Sequence, residues 1–342
     1  MSWEIEDEYT NKSYSFFGPV GMVLSEENGL DDKLSVKVTL SVFLGMCMIL
    51  SIVGNICTCA VIARDRTMRT ITNCYLFNLA ITDLLMAFFV PMEIYLIWIP
   101  EVYPLGEEGC RLHFILYDWL NNCSVLTISA FSLERYLVIS KPFLRQTLSV
   151  KSRVYKIVAV IWVVSLAFCI PDIFYIDLVE KKKFIFCNVT LPGPLRYLMA
   201  MDLFVFFVMP MTFLFVLYVL IAIKLKSAHF KLKNSPVNGN LNRDKAVKML
   251  AAVAASFFFC WSPYCLLRFM MIYPKFSYED YYDIWRIVNY LCYNGYVSTV
   301  INPILYSLMS RKFRQAFKDF FKGRTKTSRP RITSMRWTDS GV

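Results

Sequence analysis

Charge is what this chain has least of. Only 18% of its 342 residues are Asp, Glu, Lys or Arg, against roughly a quarter in a soluble domain, and the shortfall is gathered into runs. Residues 38–63, 203–223, 249–267 and 287–310 contain no charged side chain at all. Each run is about the ~20 residues a helix needs to cross ~30 Å of hydrocarbon, which excludes an ordinary water-soluble fold. Histidine is nearly missing as well: His113 and His229 are the whole supply. There is no HExxH pair, no GxSxG and no phosphate-binding loop, so an enzyme reading has no site to rest on. Cysteine, by contrast, is plentiful at 11, and most of it lies inside the apolar runs, where it acts as a small hydrophobe.

Three further runs appear once a single buried charge is allowed. Residues 71–92 are interrupted only by Asp83, residues 112–133 only by Asp118, and residues 154–171 carry Lys156 near one end, where a long side chain reaches the interface. The total is seven. Backbone in lipid must satisfy its own hydrogen bonds, so the expected fold is an all-α membrane protein, a seven-transmembrane helix bundle over residues 36–310. A transporter or channel, the alternative from another functional class, predicts internal repeats or an even set of helices; neither is visible.

Lys and Arg in the short loops set the orientation. Segments 64–70, 141–156, 224–248 and the end from Arg311 hold 25 basic residues against four acidic ones, whereas residues 1–35 hold eight acids against two lysines. The acidic amino terminus is therefore expected outside the cell and the basic end inside, in a multi-pass plasma-membrane protein. The net charge of +11 follows from this topology and from contact with anionic lipid or a cytoplasmic partner, and does not argue for nucleic acid. Residues 1–8 are acidic and lack an apolar stretch, so no cleavable signal is expected, and the first span serves as its own targeting signal. Asn11 and Asn188 head glycosylation sequons on the outer side; Asn122 heads another, but inside a span. Cys110 and Cys187 fall in outer loops and are natural disulfide partners in an oxidising compartment.

Beyond the last span, Phe313, Phe317, Phe320 and Phe321 alternate with Lys and Arg, the pattern of a short amphipathic eighth helix over 311–322 lying on the inner membrane surface. The cytoplasmic tail, 323–342, offers Thr325, Thr327, Ser328, Thr333, Ser334, Thr338 and Ser340 to kinases, and phosphorylation there would recruit an arrestin-like partner. The terminal Ser340-Gly341-Val342 fits a PDZ-type strand-addition ligand. No cysteine follows Cys292, so an acyl anchor after the eighth helix is not expected.

Each charge inside the membrane costs ~2.5–3.5 kcal/mol on insertion scales and needs a reason. Around Asp83, the oxygens of Ser124, Ser298 and Asn302 would suit a sodium ion or a switchable water network. The plainer alternative is a buried acid paired for structure alone.

At this point a set of motifs becomes specific. Gly54-Asn55 stands in the first span and Leu79-Ala80-Ile81-Thr82-Asp83-Leu84 in the second. Cys110 opens the third, and Glu134-Arg135-Tyr136 closes it. Trp162, then Pro210 with Tyr218, then Phe257 with Cys260-Trp261-Ser262-Pro263, and finally Asn302-Pro303-Ile304-Leu305-Tyr306 follow in order. The ordered set, over roughly residues 36–322, resembles the rhodopsin-like family of G-protein-coupled receptors. The resemblance implies that Pro210 and Pro263 bend their helices while neighbours re-satisfy the freed carbonyls, and that Trp261 responds to ligand near the second bend. It implies that Glu134 holds Arg135 at rest, and that release of Arg135 towards Tyr218 and Tyr306 admits the carboxy-terminal helix of a heterotrimeric G protein. One departure stands out: many relatives place an acid at the inner end of the sixth span to pin this arginine, and here Arg243 occupies the place with Asp244 beside it.

The resemblance also narrows the ligand. Tyr117 stands where amine receptors carry an aspartate, and Tyr296 where an opsin carries its retinal lysine, which excludes both chemistries. Residues 124–136 and Cys260-Trp261-Ser262-Pro263 followed by Arg268 resemble the neuromedin U, pyrokinin and ghrelin receptor branch, in which acid and arginine at the positions of Asp118 and Arg268 face each other across the pocket. The alternative is an ion pair that serves structure alone. Glu93, Asp118 and the acidic amino terminus would make the outer vestibule negative and favour a basic, amidated neuropeptide. The expected ligand-binding set is Glu93, Tyr117, Asp118, Asn121, Arg268, Tyr293 and Tyr296. Trp98, Tyr273 and Tyr290 either join it or form an interfacial aromatic belt. The branch tilts coupling towards Gq and calcium; the runner-up is another peptide or a lipid on the same scaffold.

Overall fold

A computed structural model describes residues 14–15, 33–140, 151–174, 176–181, 184–189, 193–231, 238–273, 282–309 and 311–322, with the side chains of 225–250 outside that description. The helices are α1 (Leu34–Arg64), α2 (Ile71–Ala87), α3 (Val90–Trp98), α4 (Gly106–Ser140), α5 (Lys151–Cys169), α6 (Gly193–Leu203), α7 (Met209–Lys231), α8 (Asn238–Ile272), α9 (Tyr282–Cys292), α10 (Gly295–Met309) and α11 (Arg311–Phe321). Read as rods, α2 continues into α3, α6 into α7 and α9 into α10, so the described residues before α11 form the seven rods expected. Five of them (residues 34–64, 71–98, 152–174, 196–224 and 251–272) are long and apolar enough by length and composition to cross a membrane. The other two carry more polarity along their length. α4 runs through the bundle against α2, α5, α7 and α8 and buries Asp118, Asn122, Ser124 and Glu134 there.

Burial is inverted relative to a soluble protein. On α1 the exposed face is Val42, Met46, Ile49, Val53 and Ile56, while Ser51, Asn55 and Thr58 are buried. Apolar residues outward and small polar ones between helices is the arrangement a lipid solvent selects.

Prolines explain where the rods depart from simple helices. The sequence suggests one continuous helix over 71–92; instead α2 stops at Ala87, turns through Phe88–Phe89 and restarts with Pro91 in the first turn of α3. Proline removes the bond to the residue four back and crowds its carbonyl, and four back from Pro91 is Ala87. Before Pro210 the chain opens into a π-helical segment, Phe204–Val208, whose five-residue hydrogen bonds leave no amide required of the proline. In α8 and α10, Pro263 and Pro303 sit inside continuous helix, and the carbonyls they orphan are recovered from outside. Asn294 Nδ2 donates to Phe259 O at 3.3 Å, and Asn55 Nδ2 donates to Thr299 O at 3.0 Å.

The all-helical expectation overlooks a small sheet. Strands β2 (Ile176–Lys181) and β3 (Phe184–Val189) form an antiparallel hairpin after α5, and β1 (Tyr14–Ser15) adds to β3, giving the order β1-β3-β2. The hairpin is tied to α4 by the expected Cys110–Cys187 disulfide, with the Cα atoms 5.6 Å apart. Arg111 reinforces it, donating to Ile176 O at 3.0 Å and to Asp177 at 2.9 Å. At the other end, α11 lays Phe313 into the bundle, its ring 5.9 Å from that of Tyr306.

Gly54 allows α1 and α10 to meet: a Cβ there would lie 3.0 Å from both Cβ and Cγ of Pro303. A pyrrolidine ring cannot swing aside, so Gly54→Val is expected to overpack the contact by ~1–3 kcal/mol and to loosen the Asn55–Thr299 bond. A lower unfolding midpoint for the purified protein checks this; an unchanged one contradicts it.

Candidate functional site

At the hairpin end of the bundle a small, partly open cavity lies among α4, α6, α8 and the hairpin. Its apolar lining is Phe114, Ile176, Val189, Met199, Leu267 and Met271, and its polar lining is Asp118, Asp172, Tyr264 and Arg268. The pair expected from the branch resemblance is formed, with Arg268 Nη1 2.8 Å from Asp118 Oδ2. The same nitrogen is 3.0 Å from Asp202 Oδ2, an acid on α6 absent from the expected site. All three side chains are under a tenth exposed. Tyr264 donates its hydroxyl to the other oxygen of Asp118, and Asn122 donates to the other oxygen of Asp202 at 3.2 Å. The guanidinium also lies 5.7 Å over the Tyr264 ring.

Of the seven expected ligand contacts, only Asp118 and Arg268 line this cavity. Glu93 is the clearest revision. In place of an open, charged vestibule it is 1% exposed, accepts from the Tyr296 hydroxyl at 3.2 Å and lies 3.9 Å from His113 Nε2. His113 stacks on Phe89 with its ring 5.1 Å away, and its Nδ1 is 3.0 Å from the Tyr103 hydroxyl. Tyr103, in the loop before α4, is buried, which pushes its phenol pKa above the ordinary value. Tyr117 connects the layers: its ring packs 5.7 Å from Tyr264, 5.7 Å from Trp261 and 6.2 Å from Tyr296, and its buried hydroxyl has no partner among the described residues. Asn121 likewise keeps a buried carbonyl oxygen without one; Tyr293 is buried at the end of α9. Trp98 and Tyr273 are exposed and do not line the cavity, and Trp98 donates to Ser41 on α1.

One layer further in, Trp261 donates to Ser298 Oγ at 3.2 Å and stacks on Phe257 at 5.7 Å. Its ring lies against Gly295, where α10 restarts after the turn at Tyr293–Asn294, so a shift of Trp261 is felt by two helices. Below it Asn302 donates to buried Asp83 at 3.0 Å. The expected oxygen cluster is only partly assembled, because Ser124 donates to Thr82 and Ser298 to Gly295 O. A cation here would be held by one carboxylate and neutral oxygens, a donor set that suits a monovalent ion.

At the opposite end the expected Glu134–Arg135 pairing is replaced. Glu134 accepts from Tyr75 at 3.0 Å and pairs with Arg153 of α5 at 3.0 Å. Arg135 makes no ion pair among the described residues; its guanidinium lies 5.4 Å over the Phe131 ring. The Tyr218 hydroxyl is 3.1 Å from that of Ser132, one turn from Arg135, and the Tyr306 hydroxyl is buried without a described partner. The side chains of Arg243, Asp244 and Asn188, together with Asn11 and the tail 323–342, lie outside the described residues.

Residues 54–306 match the model of the seven-transmembrane receptors of the rhodopsin family. The pyrokinin-1 receptor of Drosophila melanogaster is 31% identical over 86% of this chain and 82% of its own. Neuromedin-U receptor 2 of Mus musculus is 30% identical over 83% and 75%, and growth hormone secretagogue receptor type 1 of Sus scrofa 31% over 86% and 85%. All are receptors and none is an enzyme. With seven rods, ordered motifs and a disulfide-tethered hairpin over a charged cavity, the chain belongs to the rhodopsin family of seven-transmembrane receptors.

Proposed function

We propose that this receptor sits in the plasma membrane with its amino terminus outside, binds a basic, amidated neuropeptide, and activates a heterotrimeric G protein of the Gq class. The observation that carries the ligand class is the ratio of charges at the cavity: Asp118 and Asp202 share Arg268. Asp118 and Arg268 line the cavity. A buried site at which two carboxylates share one guanidinium draws a further guanidinium or ammonium group. Relatives named for pyrokinin and neuromedin U support a peptide carrying that group. Arg135, held by ring contact rather than by Glu134, supports a lightly latched resting state with some basal signalling. Glycans at Asn11 and Asn188, a sodium ion near Asp83, lipid contact along α11, and kinase, arrestin and PDZ partners at the tail belong to the same proposal.

The test is a calcium and cyclic-AMP readout in cells expressing the chain, challenged with amidated pyrokinin and neuromedin U peptides, their free-acid forms and citrulline-for-arginine analogues. A calcium response to the amidated peptides that fades in both controls is expected. Silence in both readouts, with the receptor present at the surface, would remove the ligand class.

A further inference from the structure

Arg268 is served by two carboxylates that come from different rods, Asp118 on α4 and Asp202 on α6, both meeting the same Nη1 nitrogen. Each acid's second oxygen is occupied by a neutral donor, Tyr264 for Asp118 and Asn122 for Asp202. The two acids are not equivalent towards the cavity. Asp118 and Arg268 line it, and Asp202 does not.

A ligand cation entering the cavity therefore meets Asp118 already engaged. Removing one partner from a buried ion pair strands the other charge away from water, and that penalty is what makes such pairs hard to open. Here the stranding is avoided, because Arg268 keeps its bond to Asp202 when Asp118 is given up. We propose that Asp202 is a reserve counter-ion: it holds Arg268 so that the ligand's guanidinium or ammonium group can take Asp118. Asp202 is a positioning residue that acts through Arg268. The ligand half of this proposal rests on the proposed function; the exchange itself does not.

The exchange is tested first without any ligand, by thermal unfolding of the purified full-length receptor as wild type, Asp118→Asn, Asp202→Asn and the double variant. Either single change leaves Arg268 one of these two carboxylates and is expected to move the midpoint little. The double change removes both and is expected to lower the midpoint by clearly more than the two single shifts added. Strict additivity would overturn the proposal.

The second arm uses the amidated neuromedin U peptide and its citrulline analogue in the calcium assay. Asp202→Asn is expected to weaken the arginine peptide by ~10-fold or more, since Arg268 then clamps Asp118, and to leave the citrulline peptide little changed. In an Arg268→Gln background, compared at equal surface expression, Asp202→Asn is expected to weaken the arginine peptide no further, because Asp202 acts only through Arg268. A further loss of similar size there would mean that Asp202 touches the ligand itself, and the reserve role would be wrong. A wild-type receptor silent to the peptide counts against the proposed ligand class, and the unfolding measurement still decides the exchange.

Discussion

Arg268→Ala is expected to damage the hairpin half of the bundle more than any other single truncation there, by ~3–5 kcal/mol. The side chain is 7% exposed and neutralises two acids that are 6% and 9% exposed, so its loss leaves two buried carboxylates facing each other without a cation between them. Repulsion and desolvation then act together, and the acids must take up protons or let water in. Thermal unfolding of the purified receptor, with surface expression alongside, reads the effect. A second change, Asp202→Asn, is expected to give back part of the lost stability, because one orphaned charge is better than two. A loss no greater than that of an exposed arginine would mean that the cluster is solvated.

Cys110→Ala should be the next most severe. A cross-link closing a segment of 77 residues would stabilise a soluble protein by ~4–5 kcal/mol through the chain entropy it removes. In this receptor α4 and α5 lie within that segment and are already confined by the membrane, so the effect on global stability should be smaller. The hairpin is what comes loose. Ile176 and Val189 line the cavity, and without the disulfide the described tethers from α4 are those of Arg111, a partly exposed side chain. Binding of a peptide ligand is expected to fall by roughly 100-fold, with reduced surface expression. Cys187→Ala should match it, and the double variant should be no worse than either single one; additive losses would argue against the pairing.

Which parts of this site could be read from sequence follows from contrast. Asp83 and Asp118 stand out because each interrupts an apolar run, and Arg268 because it ends one next to a recognisable motif. Asp202 is invisible by the same logic: it marks the edge of the charge-free run 203–223 and reads as the water side of a boundary, although the rod extends outward through α6 and carries it into the interior. Glu93 carries no such contrast: it follows the break that Pro91 forces at Ala87 and lies buried in the first turn of α3. The Glu134–Arg135 pairing fails on helix geometry. Neighbours in sequence point about 100° apart around a helix and do not face one another, so Glu134 is better met from α5 by Arg153, counted in the sequence only as a loop charge. The hairpin offers two six-residue strands, neither with a clean alternation, a weak signal beside membrane spans three to four times as long.

The widened turn at Phe204–Val208 also acts as a phase key for its rod. Tyr218 lies beyond it, towards the Arg135 end of the bundle, and Asp202 before it, towards the hairpin end. A single extra residue within a helical rod offsets everything beyond it by about 100° in azimuth. Shortening this turn by one residue would leave the tyrosine where it is and carry the acid around the circumference, out of reach of Arg268. The outward half of the rod is thus indexed independently of the inward half, and one local irregularity decides which residue meets the arginine.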